Sequence, residues 1–481
     1  MNLFKKLKIN YVMLSCNFEE KYKNHILPKY GKFRNITDDE IMFSKSVLPN
    51  KFDKIIDTMR VDLTHLDIIS IDPSGCSDAD DAFSIYSIED KLYLAIHIAD
   101  PTYYIDLESD LWKDILNRAI THYPSNNYPI HMMPNQILEK SSLMTDNVEF
   151  KNAITVTFEI NLETFLPTNN IKLEFTKIKV KKENKFTYLE ASLNLHSNEI
   201  FYLGSLISKS LKNKRSQKTI GTKLSEIDIL IPSFDNNNIF IKNTDINEKI
   251  MKEMIGEFAI LTNSFIGFFI KNNMNGLGIY RTCEASSILS SDTNICAIDI
   301  LNKIIEEGIK AEYSSNDSVH DLVGINLYCH FTSPIRRVTD CICHFLIKAY
   351  YTNLDYPWTE NELTKISKSC LLKSKKEKSI QYDDNKFRII QLIDKLLLNN
   401  KVKISFRINS YTGLFLNCII NKIYINDKEY NTHLSYTLRN NKLNIDEFKK
   451  DYIIEINNVL PFEKFDGGCI PDLDNFINLS F

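Results

Sequence analysis

Several features common in other protein classes are scarce or missing from this chain of 481 residues. Glycine and proline number only 13 each, and no internal repeat or long low-complexity tract occurs. Fibrous, repeat and low-complexity architectures are thereby excluded. No apolar run reaches the roughly 18 residues that a membrane helix needs, so no membrane partner is expected. The ten cysteines include no C-x-x-C pair and follow no regular spacing. They read as reduced thiols of an intracellular, most simply cytoplasmic, protein rather than as a disulfide framework. A basic excess is missing as well: 58 Lys and Arg face 62 Asp and Glu, for a net charge of −4. A chain with this balance can follow nucleic acid only along a local basic channel, offset by an acidic metal site. The opening stretch, Met1 to Cys16, carries three Lys but neither Arg nor an apolar h-region, and reads as a plain N-terminus.

What is present is ordinary globular material. Hydrophobic residues make up 43% and charged residues 25%, enough apolar surface for a sizeable core. Residues 1–60 are irregular. Asp67–Ile71 is a short apolar run that ends in the turn signal Asp72-Pro73-Ser74-Gly75. Ala82–Ile88 and Leu92–Ala99 suit a hairpin, and Ala153–Ile160 alternates like a half-buried strand. Helical periodicity then takes over at Glu248–Lys271, at Ile295–Glu307, after Ser333-Pro334 and across 365–398. Short strands return at Ile404–Ile408, Gly413–Ile420 and Tyr452–Val459. The pattern predicts an α+β protein in which strands precede helices and the tail over 402–481 forms an OB-type β-barrel.

The strongest chemical signal is a set of carboxylates at Asp72, Asp78, Asp80 and Asp81, within ten residues. Apolar runs flank them on both sides, which places them near the core. Carboxylates packed this closely repel one another unless a cation neutralises them. Hard oxygen donors suit Mg²⁺, or Mn²⁺, rather than Zn²⁺. An EF-hand loop does not fit, because Gly75 comes too early and position 12 is Phe83.

A second signal is Thr332-Ser333-Pro334-Ile335-Arg336-Arg337. Ser333 suits an N-cap and Pro334 the first helical position. That register puts Arg336 and Arg337 in the first turn, where the helix dipole disfavours cations unless an anion such as phosphate is bound. It also sets Arg336, Asp340 and His344 on one helical face. Cys329, His330, Cys341, Cys343 and His344 crowd the region. The Cys341-x-Cys343 spacing is wrong for a zinc knuckle, so these read as buried thiols.

Together the two signals carry a resemblance. Arg60–Thr64, Ile71–Ala82, Leu94–Thr102, Thr121–Tyr123, Tyr128–Pro134, Ser141–Leu143, Gly276–Arg281 and Tyr328–Arg337 occur in an order that resembles the catalytic core of the ribonuclease II / ribonuclease R family, the RNB domain. The likeness covers residues 60–395 and implies that 61–398 folds as a mixed sheet surrounded by helices. It implies a 3′-5′ exoribonuclease that hydrolyses single-stranded RNA to nucleoside 5′-monophosphates. Asp72, Asp78, Asp80 and Asp81 match the family's metal ligands, with Asp80 and Arg336 catalytic. Tyr123 matches the ring that stacks on the 3′-terminal base, and Ser333, Arg336 and Arg337 fall in the RNA-binding signature. The expected partners are single-stranded RNA and RNA-decay proteins, around a monomeric chain.

The chain also departs from that pattern. The stretch 1–60 is too short for the two cold-shock barrels that precede the core in full-length relatives. Val338-Thr339 replaces a Tyr-Ala or Tyr-Gly pair, and Phe345 stands where Arg is commoner. The family's downstream acidic residue is Glu377, Asp383 or Asp384. A catalytically silent RNA-binding protein that keeps the fold is the alternative reading.

Overall fold

A computed structural model describes residues 18–31, 49–145, 149–243, 245–289, 295–412, 415–439, 451–456, 459–461 and 469–471. The readings of the opening stretch 1–17, of Gly413 at the head of a tail strand, and of the chain beyond 471 fall outside these residues.

Strands β1 (Val61–Asp62), β2 (Ser70–Asp72), β3 (Asp81–Ile88), β4 (Lys91–Ala99), β5 (Lys151–Ile160), β6 (Pro167–Ile178) and β7 (Lys185–Thr187) make up the first half of the chain. Five of them form one sheet in the order β1-β6-β5-β4-β3, antiparallel except at β1–β6. The expected hairpin is there: Glu89 and Asp90 reverse the chain at φ 49° and 61°, the left-handed geometry that matches strand twist.

The half-buried reading of β5 fails. Nearly every residue from Lys151 to Ile160 is buried, because the polar face is also covered. Ser84 Oγ meets His97 Nε2 at 3.0 Å, His97 Nδ1 meets Thr155 Oγ1 at 2.9 Å, and Thr155 meets Thr176 at 2.8 Å. This ladder crosses four strands and satisfies its own hydrogen bonds, so it can leave water. Burial alone pushes the His97 imidazole down to about 3, which keeps it neutral.

Helices α1 (Asp110–Arg118), α2 (Glu199–Ser216), α3 (Ile246–Asn273), α4 (Val338–Thr352) and α5 (Glu360–Leu396) surround the sheet. Helix α3 is apolar and long enough to cross a membrane by length and composition. Here it is a core helix. Its Phe258 and Phe265 meet Phe83 and Phe158 of the sheet edge-on at 5.4 and 5.9 Å. Gly267 lets the chain at Leu327–Tyr328 lie against it, since a Cβ there would sit 2.9 Å from that backbone. From the same helix, the Asn263 side-chain Oδ1 accepts from the Phe331 and Thr332 amides at 2.8 and 3.2 Å. Helix α3 thereby sets the segment that leads into α4.

Two small ribbons follow, β8 (Ser233–Asp235) with β9 (Asn238–Phe240), and β10 (Tyr280–Thr282) with β11 (Glu312–Ser314). In the tail, β12 (Val402–Thr412), β13 (Phe415–Ile425), β14 (Lys428–Arg439) and β15 (Asp451–Ile456) form an antiparallel sheet in the order β14-β13-β12-β15. This sheet is open; the expected barrel is not closed among the described residues. Its core includes Ile404, Phe406 and Ile420, joined by Phe387, Ile390 and Ile393 of α5 and by Phe18, Tyr22, Ile26 and Tyr30.

Helix α4 begins at Val338, not at Ser333. Arg337 is its N-cap residue, with extended backbone. Residues 333–337 form a turn outside the helix, so Arg336 and Arg337 are not in its first turn, and Asp340 pairs with Arg337 rather than Arg336. The departures from the family pattern point into the core. Phe345 is fully buried and meets Trp112 edge-on at 5.5 Å, and Val338 and Thr339 are buried too.

Candidate active site

The acidic loop is built between two strands and held at several points. Gly75, at φ 77°, makes the reversal that only glycine adopts without strain. The Ala79 amide donates to Ser142 Oγ at 3.0 Å, the Leu143 amide to the Ala79 carbonyl at 3.1 Å, and the Ala99 amide to the Asp80 carbonyl at 2.8 Å. Opposite lies the turn before α4. Its Thr121–Arg336 and Ala119–Val338 backbone bonds tie it to the chain after α1.

Asp80 joins the two halves. Its Oδ1 accepts from the Ile335 amide at 2.7 Å and its Oδ2 from Arg336 Nε at 3.0 Å. Burial pushes this carboxyl well above the ordinary range, against the opposing charge of Arg336. Arg336 also donates to Ser333 Oγ at 2.8 Å, so the buried Ser333 hydroxyl orients the guanidinium. Asp340 takes Arg337 through both carboxylate oxygens, at 2.8 and 2.9 Å, and accepts the Ser333 amide at 2.8 Å.

Asp78 Oδ2 accepts from the Tyr123 hydroxyl at 2.5 Å, with His131 Nδ1 3.6 Å away. Burial would raise Asp78, but the His131 ring and the Tyr123 hydroxyl hold it below its ordinary value. Asp72 accepts from Ser70 Oγ at 2.7 Å, and burial raises it. Asp81 is pushed up to about 7, first by burial and then by the charge of Asp72. Among the described residues neither Asp72 nor Asp81 forms a salt bridge.

The donor set therefore fits a hard divalent cation in chemistry: four carboxylates, two of them without a cationic partner. As the side chains stand, no three ligating groups among the described residues converge on one point, and both oxygens of Asp80 are engaged.

A cavity of about 1110 Å³ opens beside this cluster. Tyr123, Arg336, Arg337, Arg281, Lys378 and Glu377 are among the residues lining it. Its wall carries eight Lys and Arg against five Asp and Glu, a local basic excess within an acidic chain. Of the sequence-derived site residues, Tyr123, Arg336 and Arg337 line the cavity; Asp78 and Asp80 reach it through Tyr123 and Arg336, Ser333 sits behind Arg336, and Asp72 and Asp81 are not in its wall. Of the three downstream acids, Glu377 lines the cavity, bonded to His122 and to Gln381. Asp383 pairs with Lys29 at 3.0 Å. Asp384 accepts from Tyr22, Tyr30 and the Ser125 amide at 2.9, 2.6 and 2.9 Å. Sequence reasoning missed His131, Asn263 and the role of Asp340; only Asn263, a polar residue in an apolar helix, carried a signal. Cys329, Cys341 and Cys343 are buried thiols pushed up by burial, which keeps them protonated.

Comparison with known proteins identifies the family of the domain. Residues 60–353 match the RNB domain, more than half of the chain. The curated protein "Ribonuclease II, chloroplastic/mitochondrial" of Arabidopsis thaliana is 24% identical over 349 residues, covering 69% of this chain and 42% of that protein. The chain spans about half the length of the curated relatives it matches, or less. Mycoplasma genitalium RNase R, solved with ribose-methylated single-stranded RNA, superposes with a TM-score of 0.65 at 18% identity, over 89% of this chain and 76% of that one. Yeast Ssd1, described as a pseudonuclease, superposes at 0.61 and 16% identity, over 82% and 53%. At these identities the solved structures establish the fold. With the matched domain covering most of the chain and its acidic loop locked to the Arg336 turn, the protein belongs to the RNB domain family.

Proposed function

We propose that this chain is a 3′-5′ exoribonuclease that hydrolyses single-stranded RNA to nucleoside 5′-monophosphates. The observation that carries the reading is the Asp80–Arg336 contact on the wall of a basic cavity, with Tyr123 beside it. Asp72, Asp78, Asp80 and Asp81 would hold two divalent ions, Mg²⁺ or Mn²⁺, which supply an activated water and shield the departing 3′ oxygen. Tyr123 stacks on the terminal base, a contact that tolerates any base. Arg336 exchanges the Asp80 carboxylate for a phosphate oxygen, which offsets charge developing there and releases Asp80 for metal binding. Arg337, fixed by Asp340, adds positive potential along the RNA path, and Ser333 keeps Arg336 aimed.

Residues 61–398 form the catalytic unit in this reading, and 402–481 an OB-type RNA-binding domain that supports capture. The protein acts inside the cell, as a monomer, with RNA-decay partners. A second reading, a silent RNA-binding protein, draws on the likeness to Ssd1 and on the engaged state of Asp80.

The deciding experiment follows a 5′-labelled oligoribonucleotide with Mg²⁺. Stepwise shortening by the wild type, lost in Asp80→Asn, is expected. RNA binding without shortening in Mg²⁺ or Mn²⁺ selects the silent reading, and cleavage that survives Asp80→Asn defeats the mechanism.

A further inference from the structure

Arg281 is the unusual cation of the cavity. Strand β10 places it there by pairing: its amide donates to the Tyr328 carbonyl at 2.7 Å, and Arg281 pairs with Tyr313 of β11. The residue is only 6% exposed, yet it lines the cavity wall. Its guanidinium lies 4.5 Å from the Tyr313 ring. Nη1 has no hydrogen-bond partner, and among the described residues no carboxylate pairs with this side chain. Buried arginines are ordinarily paired, because an uncompensated charge away from water is expensive.

The surroundings sharpen the point. Arg337 and Lys378 stand near it, and His320 and His330 line the same wall. The Nδ1 of His320, itself 6% exposed, also lacks a partner. The nearby acids are committed elsewhere: Asp340 to Arg337, Glu377 to His122 and Gln381, Glu312 to Lys375, Asp321 to the Ala285 amide. Burial, with Arg337 adding to it, depresses the Arg281 guanidinium, and shielding together with Arg281 depresses the Lys378 ammonium. This corner of the cavity therefore holds excess positive charge with open donors, which is what an anion requires.

We propose that Arg281, with Lys378 beside it, forms a second anion subsite that grips a backbone phosphate of the RNA, separate from the scissile phosphate at Arg336. The inference rests on the reading of the cavity as an RNA path. It adds that one internal phosphate is held by a side chain with no structural partner. Planar Arg281 supplies a paired-donor fork to the phosphate oxygens, and Lys378 supplies a point charge.

The test is equilibrium binding of a fluorescent oligoribonucleotide to the full chain in EDTA, with affinity measured across a salt series. For single strands each lost phosphate contact lowers the log–log salt slope by about 0.7. Arg281→Gln is expected to flatten the slope by about 0.7 and to weaken binding by about tenfold, whereas Arg281→Lys keeps the slope. Lys378→Gln, at an exposed position, is expected to flatten it as well and serves where the Arg281 variant does not fold. An unchanged slope in Lys378→Gln and in folded Arg281→Gln, with wild type binding normally, overturns the subsite and leaves the nuclease reading intact. Wild type that binds no RNA overturns both.

Discussion

Replacing Asp81 by Asn isolates the electrostatic cost of the acidic cluster. A carboxyl raised on folding holds its proton more tightly in the folded chain than in the unfolded one. Its contribution to stability is full below the unfolded value and is lost as pH rises through the folded one. For Asp81 those values are 3.8 and about 7. At about 1.4 kcal/mol per tenfold, ionised Asp81 costs the metal-free protein about 4 kcal/mol at pH 8. Asn keeps the shape of the protonated carboxyl and removes the charge. In urea denaturation with EDTA, Asp81→Asn should be more stable than wild type by up to about 4 kcal/mol at pH 8 and by less than about 1 kcal/mol at pH 4. The difference between the two proteins cancels titrating groups that do not interact with Asp81, and leaves the coupling to Asp72 within it. Mg²⁺ at about 100 times its dissociation constant should return about 2.7 kcal/mol to wild type and none to the variant. Equal stabilities at pH 8, or a gap that does not shrink on acidification, would refute the reasoning.

Three further outcomes are expected. Arg336→Lys, at a half-exposed side chain, should leave the urea midpoint nearly unchanged but slow RNA hydrolysis by about 10²–10³-fold, since one planar donor aimed at a developing charge is lost. Lys348→Met should lower unfolding free energy by about 3–5 kcal/mol, because Lys348 lies 2.7 and 2.8 Å from Asp53 and Asp100 with all three side chains fully buried. Tyr30→Phe removes a 2.6 Å bond to the buried Asp384 carboxylate and should cost about 1.5–3 kcal/mol by the same assay.

The hairpin and the acidic loop were legible because local chemistry decides them. Glu89-Asp90 between two strand-like runs rich in Ile, Leu and Tyr, and Gly75 among four Asp, leave little else for the chain to do. The burial of β5 was not legible, because Ser84, His97, Thr155 and Thr176 look like a solvent face until the ladder joining them is seen. The start of α4 misled for a related reason. Ser333-Pro334 imitates a cap and first turn, but Asp80 claims the Ile335 amide and Asp340 claims the Ser333 amide. The helix starts only at Val338 because Arg337 is extended and bridges Ile120 of the chain after α1. Among Glu377, Asp383 and Asp384 the sequence offered no choice. A 37-residue helix turns one acid toward the cavity and two toward the segment at 18–31, and helical periodicity cannot say which neighbour each face meets.

The distribution of core charge separates scaffold from site. Away from the cavity, charges close on themselves: Arg60 and Lys348 face Asp53 and Asp100 in a sealed group of two cations and two anions. Arg118 likewise meets Asp114 at 2.6 Å. At the cavity the balance fails in both directions. Among the described residues Asp72 and Asp81 form no salt bridge, with only the more distant Arg336 and Arg337 acting on them, while Arg281 and Lys378 have no carboxylate partner. A fold that pairs its other buried charges has no structural reason to keep two opposite imbalances in one cavity. Each becomes favourable only against a ligand of the other sign, a hard cation for the carboxylates and a phosphate chain for the guanidinium. In the proposed function, RNA with bound divalent ions would supply both at once, and the two imbalances would then serve a single site.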